Sequence, residues 1–145
     1  MTMSVEPAND ADFPTIAELL ELSKLPRDGL ADHMATALVA RKGDRIVGSA
    51  ALEMYGSSAL LRSVAVDAAR RGQGLGQRLT QAALDLARRR GVAAVYLLTE
   101  TAAEFFPRFG FGRIDRSEVP AAVQQSIEFT GACPQSALVM KVTLK

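Results

Sequence analysis

The chain of 145 residues has one cysteine and one histidine. A single thiol cannot close an internal disulfide, which fits a reducing cytoplasm, and no metal cofactor is expected. No apolar run reaches the about 20 residues that crossing a bilayer requires. Met1 to Asp12 lacks the charged and apolar regions of a signal peptide, so a cytoplasmic location is expected. Neither charge is in excess. Seventeen Lys and Arg stand against sixteen Asp and Glu, a net +1, which gives no electrostatic case for nucleic acid or an anionic membrane as partner. The basic triplet Arg88-Arg89-Arg90 closes a predicted helix, where cations suit the dipole. No repeat, low-complexity tract or linker divides the chain. What is present is a 48% apolar content, enough to bury a core, so residues 1–145 read as one domain.

The most specific stretch is Val66-Asp67-Ala68-Ala69-Arg70-Arg71-Gly72-Gln73-Gly74-Leu75-Gly76, set between an apolar strand and a long amphipathic helix. A helix start offers N–H groups with no intrahelical acceptor and the positive end of the dipole. Glycines there let a ligand approach those donors without meeting a Cβ. The stretch is a place to hold a diphosphate. It lacks the Gly-Lys-Ser/Thr ending of a Walker loop. It is also not the dinucleotide fingerprint, which follows the first strand and has an acidic residue about 20 positions on.

Periodicity supplies the frame. Short strands are expected at Val5-Glu6, 36–40, 45–52 and 60–66, with turns at Lys42-Gly43-Asp44 and Gly56-Ser57-Ser58. Asp10 and Asp12 can cap a helix carrying Ile16, Leu19 and Leu20 that ends before Pro26, and a short helix follows over 27–34. Residues 74–90 carry Leu75, Leu79, Ala82, Ala83, Leu86 and Ala87 on one side at a 3.6-residue period. The apolar run 92–98 reads as a strand covered on both faces, completing a right-handed βαβ unit with 60–66. Beyond it come a helix over 102–109, a strand near 111–114, a helix from 117 to about 129 and a last strand over 137–143. The fold class is α/β (α+β): a mixed, mostly antiparallel sheet of about seven strands with one central parallel pair and helices on both faces.

The glycine stretch resembles the acetyl-CoA loop of the GNAT acetyltransferase superfamily, Arg/Gln-x-x-Gly-x-Gly/Ala, through Arg71, Gly74 and Gly76, with Val66 at the expected distance before them. The element order is also that family's layout. The resemblance implies that the central parallel strands splay apart and that the pantetheine arm of acetyl-CoA lies between them. Backbone groups of Val64, Ala65 and Val66 would follow that arm. The acyl carbonyl would sit near Ser63–Val64, and the diphosphate on the loop Arg71, Gly72, Gln73, Gly74, Leu75, Gly76 and the N–H of Gln77. Arg71 either adds charge there or serves the fold of its own loop. The segment Phe105-Phe106-Pro107-Arg108-Phe109-Gly110-Phe111 resembles the family's Phe-Tyr-x-x-x-Gly-Phe element, whose phenol often protonates the departing thiolate. Here Phe106 stands where that Tyr would, against the cofactor but with no proton to give. Ser63, Thr99, Thr101 or a water is left for that task, or the thiolate leaves without strong assistance. The family's early strand-4 glutamate is matched by Leu60.

Two acidic residues remain for the acceptor amine. Glu53, just before Met54-Tyr55-Gly56, can face the cleft and accept the amine proton, and Glu100 ends the fifth strand; a solvated strand-end carboxylate is the plainer reading of each. Arg62 interrupts an apolar central strand, where an unpaired charge is costly. It reads either as a fork for an acceptor carboxylate or as an ion pair with Glu53. Tyr55 and Thr101 can line the acceptor site. His33 reads as a surface residue or an acceptor contact, and Cys133 as an inert buried thiol. Over nearly the whole chain, strings such as 60–66, Tyr96-Leu97-Leu98-Thr99, Asp115-Arg116-Ser117-Glu118-Val119-Pro120 and Cys133-Pro134-Gln135-Ser136-Ala137 resemble acetyltransferases found with arsenic-resistance genes, and in part bacterial glutamate N-acetyltransferases. The resemblance implies acetyl-CoA-dependent N-acetylation of a small-molecule amine, an amino acid or an amino-acid-like toxic compound, through a ternary complex. A protein or peptide acetyltransferase and a non-catalytic acyl-CoA sensor are the alternatives, and a homodimer stays open as the assembly.

Overall fold

The structure, a computed structural model, describes residues 3–133 and 136–144. Pro134-Gln135 of the C-terminal string lies outside the described residues. Seven strands form one sheet: β1 (Met3–Pro7), β2 (Ala37–Lys42), β3 (Arg45–Tyr55), β4 (Ser58–Val66), β5 (Ala94–Thr99), β6 (Gly112–Ile114) and β7 (Leu138–Thr143). Their spatial order is β1-β2-β3-β4-β5-β7-β6. Every neighbouring pair is antiparallel except β4–β5. That pair is joined by α2 (Leu75–Arg89), as the βαβ reading requires. No helix among the described residues is long and apolar enough to cross a membrane.

Both faces of the sheet are covered. The apolar stripe of α2 buries Leu75, Leu79, Ala83 and Ala87 against Leu52, Leu61, Val95 and Leu97. On the opposite face, α1 (Phe13–Leu22) packs Ile16 and Leu20 over Val39, Ala51 and Ala65. Further along, Val119, Val123 and Phe129 cover Leu60, Tyr96 and Val139. Register shows how these last two clusters relate: Ala51 stands opposite Arg62 and Glu53 opposite Leu60. Paired residues point to the same face, so Glu53 and Arg62 form a charged seam between two apolar patches.

Three expected helices are corrected. The segment 102–109 holds only a 3₁₀ turn, Phe106–Phe109. The N–H groups of Phe105 and Phe106 both reach the Ala102 carbonyl, but Pro107 has no N–H with which to continue the ladder. The segment 117–129 is broken into a 3₁₀ turn (Arg116–Glu118), the four-residue α3 (Ala121–Gln124) and a π-helical turn (Glu128–Ala132). Pro120 holds Val119 extended, so no helix runs through it. Further on, the Glu128 N–H turns to the Ser126 hydroxyl, a side-chain bond that competes with a regular helix. Residues 27–34 give a 3₁₀ segment, Leu30–Thr36, interrupted at His33.

Candidate active site

The glycine stretch folds as a tight path onto the start of α2. Asp67 caps a 3₁₀ turn (Ala68–Arg70) by accepting the Ala69 N–H at 3.1 Å. Gly74 then enters α2 with φ +81, a left-handed conformation that residues with a Cβ resist. The first helical bond here runs from the Arg78 N–H to the Gly74 carbonyl, which leaves the N–H groups of Leu75, Gly76 and Gln77 without an intrahelical acceptor. A Cβ at Gly72 or Gly74 would meet nothing within 4 Å, while at Gly76 it would touch the Phe105 ring at 3.4 Å. The loop is exposed at Arg71, Gly72, Gln73, Gly74 and Gln77, whereas the Leu75 side chain is anchored in the core. Arg71 folds back on its own loop, its Nε donating to the Val66 carbonyl at 3.4 Å.

Beside this loop the parallel pair opens. β4 and β5 are paired only at Ser58–Ala94, Ala59–Val95 and Leu60–Tyr96. Beyond that, β4 continues against β3 as far as Val66 and β5 against β7 as far as Thr99, with an unpaired gap between the two parallel strands. An extended amide-bearing chain is complementary to such edges. At the mouth of the gap β4 carries a bulge. The register passes from Ser49↔Ala65 to Ala51↔Arg62, leaving Ser63 and Val64 against one residue of β3. Ser63 takes φ +60, a strained value for a residue other than glycine, and is held there by the Ser49 hydroxyl donating to its carbonyl at 2.7 Å.

Next to the bulge lies the charged seam. Arg62 is fully buried: Nη1 donates to Glu53 at 2.7 Å, Nε to the Ser63 hydroxyl at 3.1 Å and Nη2 to the Pro26 carbonyl at 3.2 Å. A second carboxylate, Glu128, stands 3.5 Å from Nε. Glu53 is also fully buried and accepts the Tyr55 hydroxyl, while His33 lies 3.8 Å from its Oε1. Burial by itself would raise the Glu53 carboxyl; hydrogen bonds from Ser126, Tyr55 and Arg62, with the Arg62 charge, outweigh it and hold the group below the usual carboxylate range. Burial followed by the Glu53 contact pushes the Tyr55 phenol up to about 12. Glu128 is pushed up to about 7 by burial against the opposing pull of Arg62. Cys133, whose thiol donates to Glu128 at 3.6 Å, rises to about 12 through burial and that carboxylate, so it stays a thiol.

The structure thus brings Glu53, Tyr55, Arg62 and Ser63 together at the gap, with Thr99 on the facing strand. The Thr99 hydroxyl accepts the Ala102 N–H at 2.9 Å. Thr101 is exposed. Phe106 is turned into the core at 7% exposure, edge-on to Phe105 and Phe111. Sequence reasoning missed Ser126, Glu128 and the Pro26 carbonyl. The readable signal was an acidic residue squeezed between Ile127 and Phe129, and the assumed helix hid it.

The Acetyltransferase (GNAT) family model matches residues 4–111. No curated protein is significantly similar in sequence. Among solved structures, Rv2747 from Mycobacterium tuberculosis, in complex with CoA and NLQ, is 27% identical, with a TM-score of 0.83 over 98% of this chain and 99% of its own. N-acetylglutamate synthase from Neisseria gonorrhoeae, complexed with coenzyme A and N-acetyl-glutamate, is 23% identical with a TM-score of 0.85. The match takes in 100% of this chain and 36% of that one, and is a likeness of fold. Ard1 from Thermoplasma volcanium shares the fold at 18% identity and a TM-score of 0.78, over 100% and 99% of the two chains. With a family model spanning most of its length and a sheet that opens beside a glycine-lined helix start, the chain belongs to the GNAT family of N-acetyltransferases.

Proposed function

We propose that this enzyme transfers the acetyl group of acetyl-CoA to the amine of a small acceptor, an amino acid or an amino-acid-like toxic compound. The observation that carries the reading is the gap between β4 and β5, which runs from the α2 N-terminus to the Ser63 bulge. Unspent N–H groups at Leu75, Gly76 and Gln77, with open space over Gly72 and Gly74, fit a diphosphate. The free edges along Val64–Val66 fit the pantetheine amides, and the bulge would polarise the thioester carbonyl through backbone N–H. CoA in the Mycobacterium tuberculosis structure supports the donor. The amino-acid acceptor draws support from the resemblance of several sequence strings to glutamate N-acetyltransferases and arsenic-linked acetyltransferases. The Neisseria structure, which holds N-acetyl-glutamate, adds that this fold occurs with such a ligand.

Thr99 is the protein group suited to help the leaving thiolate. Its oxygen accepts the Ala102 N–H, so its own proton is not spent on that contact. The test is CoA release with a panel of amino acids, simple amines and an arsenic-containing amino-acid analogue, beside a thermal shift with acetyl-CoA. Release with amino acids is expected. Stabilisation by acetyl-CoA with no release on any amine would sink the transfer reading and leave a binding protein.

A further inference from the structure

An amine meets the acyl carbon as an ammonium ion at neutral pH and attacks only after losing a proton, so a base must lie near the carbonyl. Two carboxylates reach the Ser63 bulge, both through Arg62. Glu53 is spent. Its oxygens accept Tyr55, Ser126 and Arg62, it is fully buried, and its depressed carboxyl holds a proton poorly at any pH near neutral. Glu128 is different. Its Oε2 faces Arg62 Nε at 3.5 Å, beyond hydrogen-bond range, because that N–H already donates to Ser63. Among the described residues its Oε1 meets one weak donor, the Cys133 thiol at 3.6 Å. Among the described residues this carboxylate therefore keeps spare acceptor capacity, one side chain away from the bulge. The cover above it is close-packed at Gly29, where a Cβ would lie 2.7 Å from the Ile127 side chain and 3.6 Å from Arg62 Nη1, and its outer residue Ile127 is exposed.

We propose that Glu128 is the general base of this acetyl transfer, taking a proton from the acceptor ammonium beside the Ser63 bulge. The role rests on the reading that the enzyme N-acetylates an amine. Glu128 accepts one ammonium proton, and the neutral nitrogen forms the C–N bond as the C–S bond breaks. The second nitrogen proton goes to the departing thiolate, and the carboxyl returns its own proton to water after the product leaves. Amine and thioester become amide, thiol and one released proton. The charged and titratable groups facing Glu128 are Arg62 on β4, Glu53 on β3, Asp28 on the covering segment and Cys133 on its own. Burial and the two acids outweigh Arg62 and bring the carboxyl to about 7, where a base serves well at neutral pH.

The experiment is the pH dependence of kcat for the parent chain, Glu128→Gln and Glu128→Asp on an amine that the parent acetylates. The acetyl-CoA thermal shift checks that each variant folds and binds donor. The parent should lose rate as the pH falls below about 7. Glu128→Gln should lower kcat by about a hundredfold at neutral pH, with that break gone and the rate climbing toward the amine's own pKa. Glu128→Asp should retain the break at reduced rate. If Glu128→Gln keeps kcat within about twofold together with the break, the role is overturned while the transfer reading stands. If the parent turns over no amine, both fall.

Discussion

Arg62 carries three donor contacts and two flanking carboxylates with no side-chain exposure, so its removal strands buried charge. Breaking such a pair from one side typically costs about 3–5 kcal/mol, more than the pair itself contributes. Arg62→Met should therefore lower Tm sharply, and Arg62→Met with Glu53→Gln should recover most of the loss. Thermal melts of the single and double variants decide this. Acceptor KM then separates the two readings of Arg62. If the double variant restores Tm but leaves KM raised about tenfold or more, the guanidinium also holds the acceptor. If both recover, it serves the fold alone.

At the scale of elements, two local geometries set up the gap. The start of α2 calls for close backbone approach. Gly74→Val would confound strain at φ +81 with blockage of the loop, whereas Gly76 has no positive φ and a Cβ there meets Phe105 at ordinary contact distance. Gly76→Val should thus fold normally and raise the acetyl-CoA KM by about tenfold or more, with acceptor KM within about twofold. Equal donor affinity in a folded Gly76→Val would remove the diphosphate role of this loop. The β4 bulge makes the complementary demand. Ser63→Gly, which tolerates φ +60 but loses the hydroxyl that Arg62 Nε donates to, should keep more stability and turnover than a β-branched residue there. Ser63→Val should lose about 1–2 kcal/mol and slow transfer, because a β-branched residue resists the left-handed region. Melting curves and kcat on the two variants check it.

For the whole molecule, the buried seam couples stability to pH in two opposing senses. Glu53 is depressed, so its contribution is present above the unfolded carboxylate value and is lost as pH falls. Glu128 is raised to about 7, so between the unfolded value and about 7 the native state holds a proton the unfolded chain has released. Its contribution is full at low pH and is lost as pH rises through that window. Glu128→Gln mimics the neutral form, and Arg62 keeps Glu53 as its partner. The variant should melt above the parent at about pH 8 and converge with it near pH 4. A constant difference across that range would mean the carboxyl does not titrate there.

Much of this was legible along the chain because it is encoded locally. The 3.6-residue stripe on 74–90, the apolar runs of β4 and β5 and the glycines before α2 each report a local backbone preference, and the βαβ unit with its one parallel strand pair follows from them. Two of the failed helices, 102–109 and 117–129, share a cause: Pro107, Pro120 and the Ser126 hydroxyl intercept backbone hydrogen bonds that periodicity assumes. The acceptor side was less legible. Sequence alone left Arg62 between a substrate fork and an ion pair with Glu53, and only the β3–β4 register brings those two residues side by side. Glu128 is 66 positions from Arg62 and enters the seam only when the segment before β7 closes over the sheet. Burial, counter-charge and proton affinity arise from contacts between segments distant in the chain, so the tertiary structure alone decided which carboxylate is locked in a pair and which retains capacity for a proton.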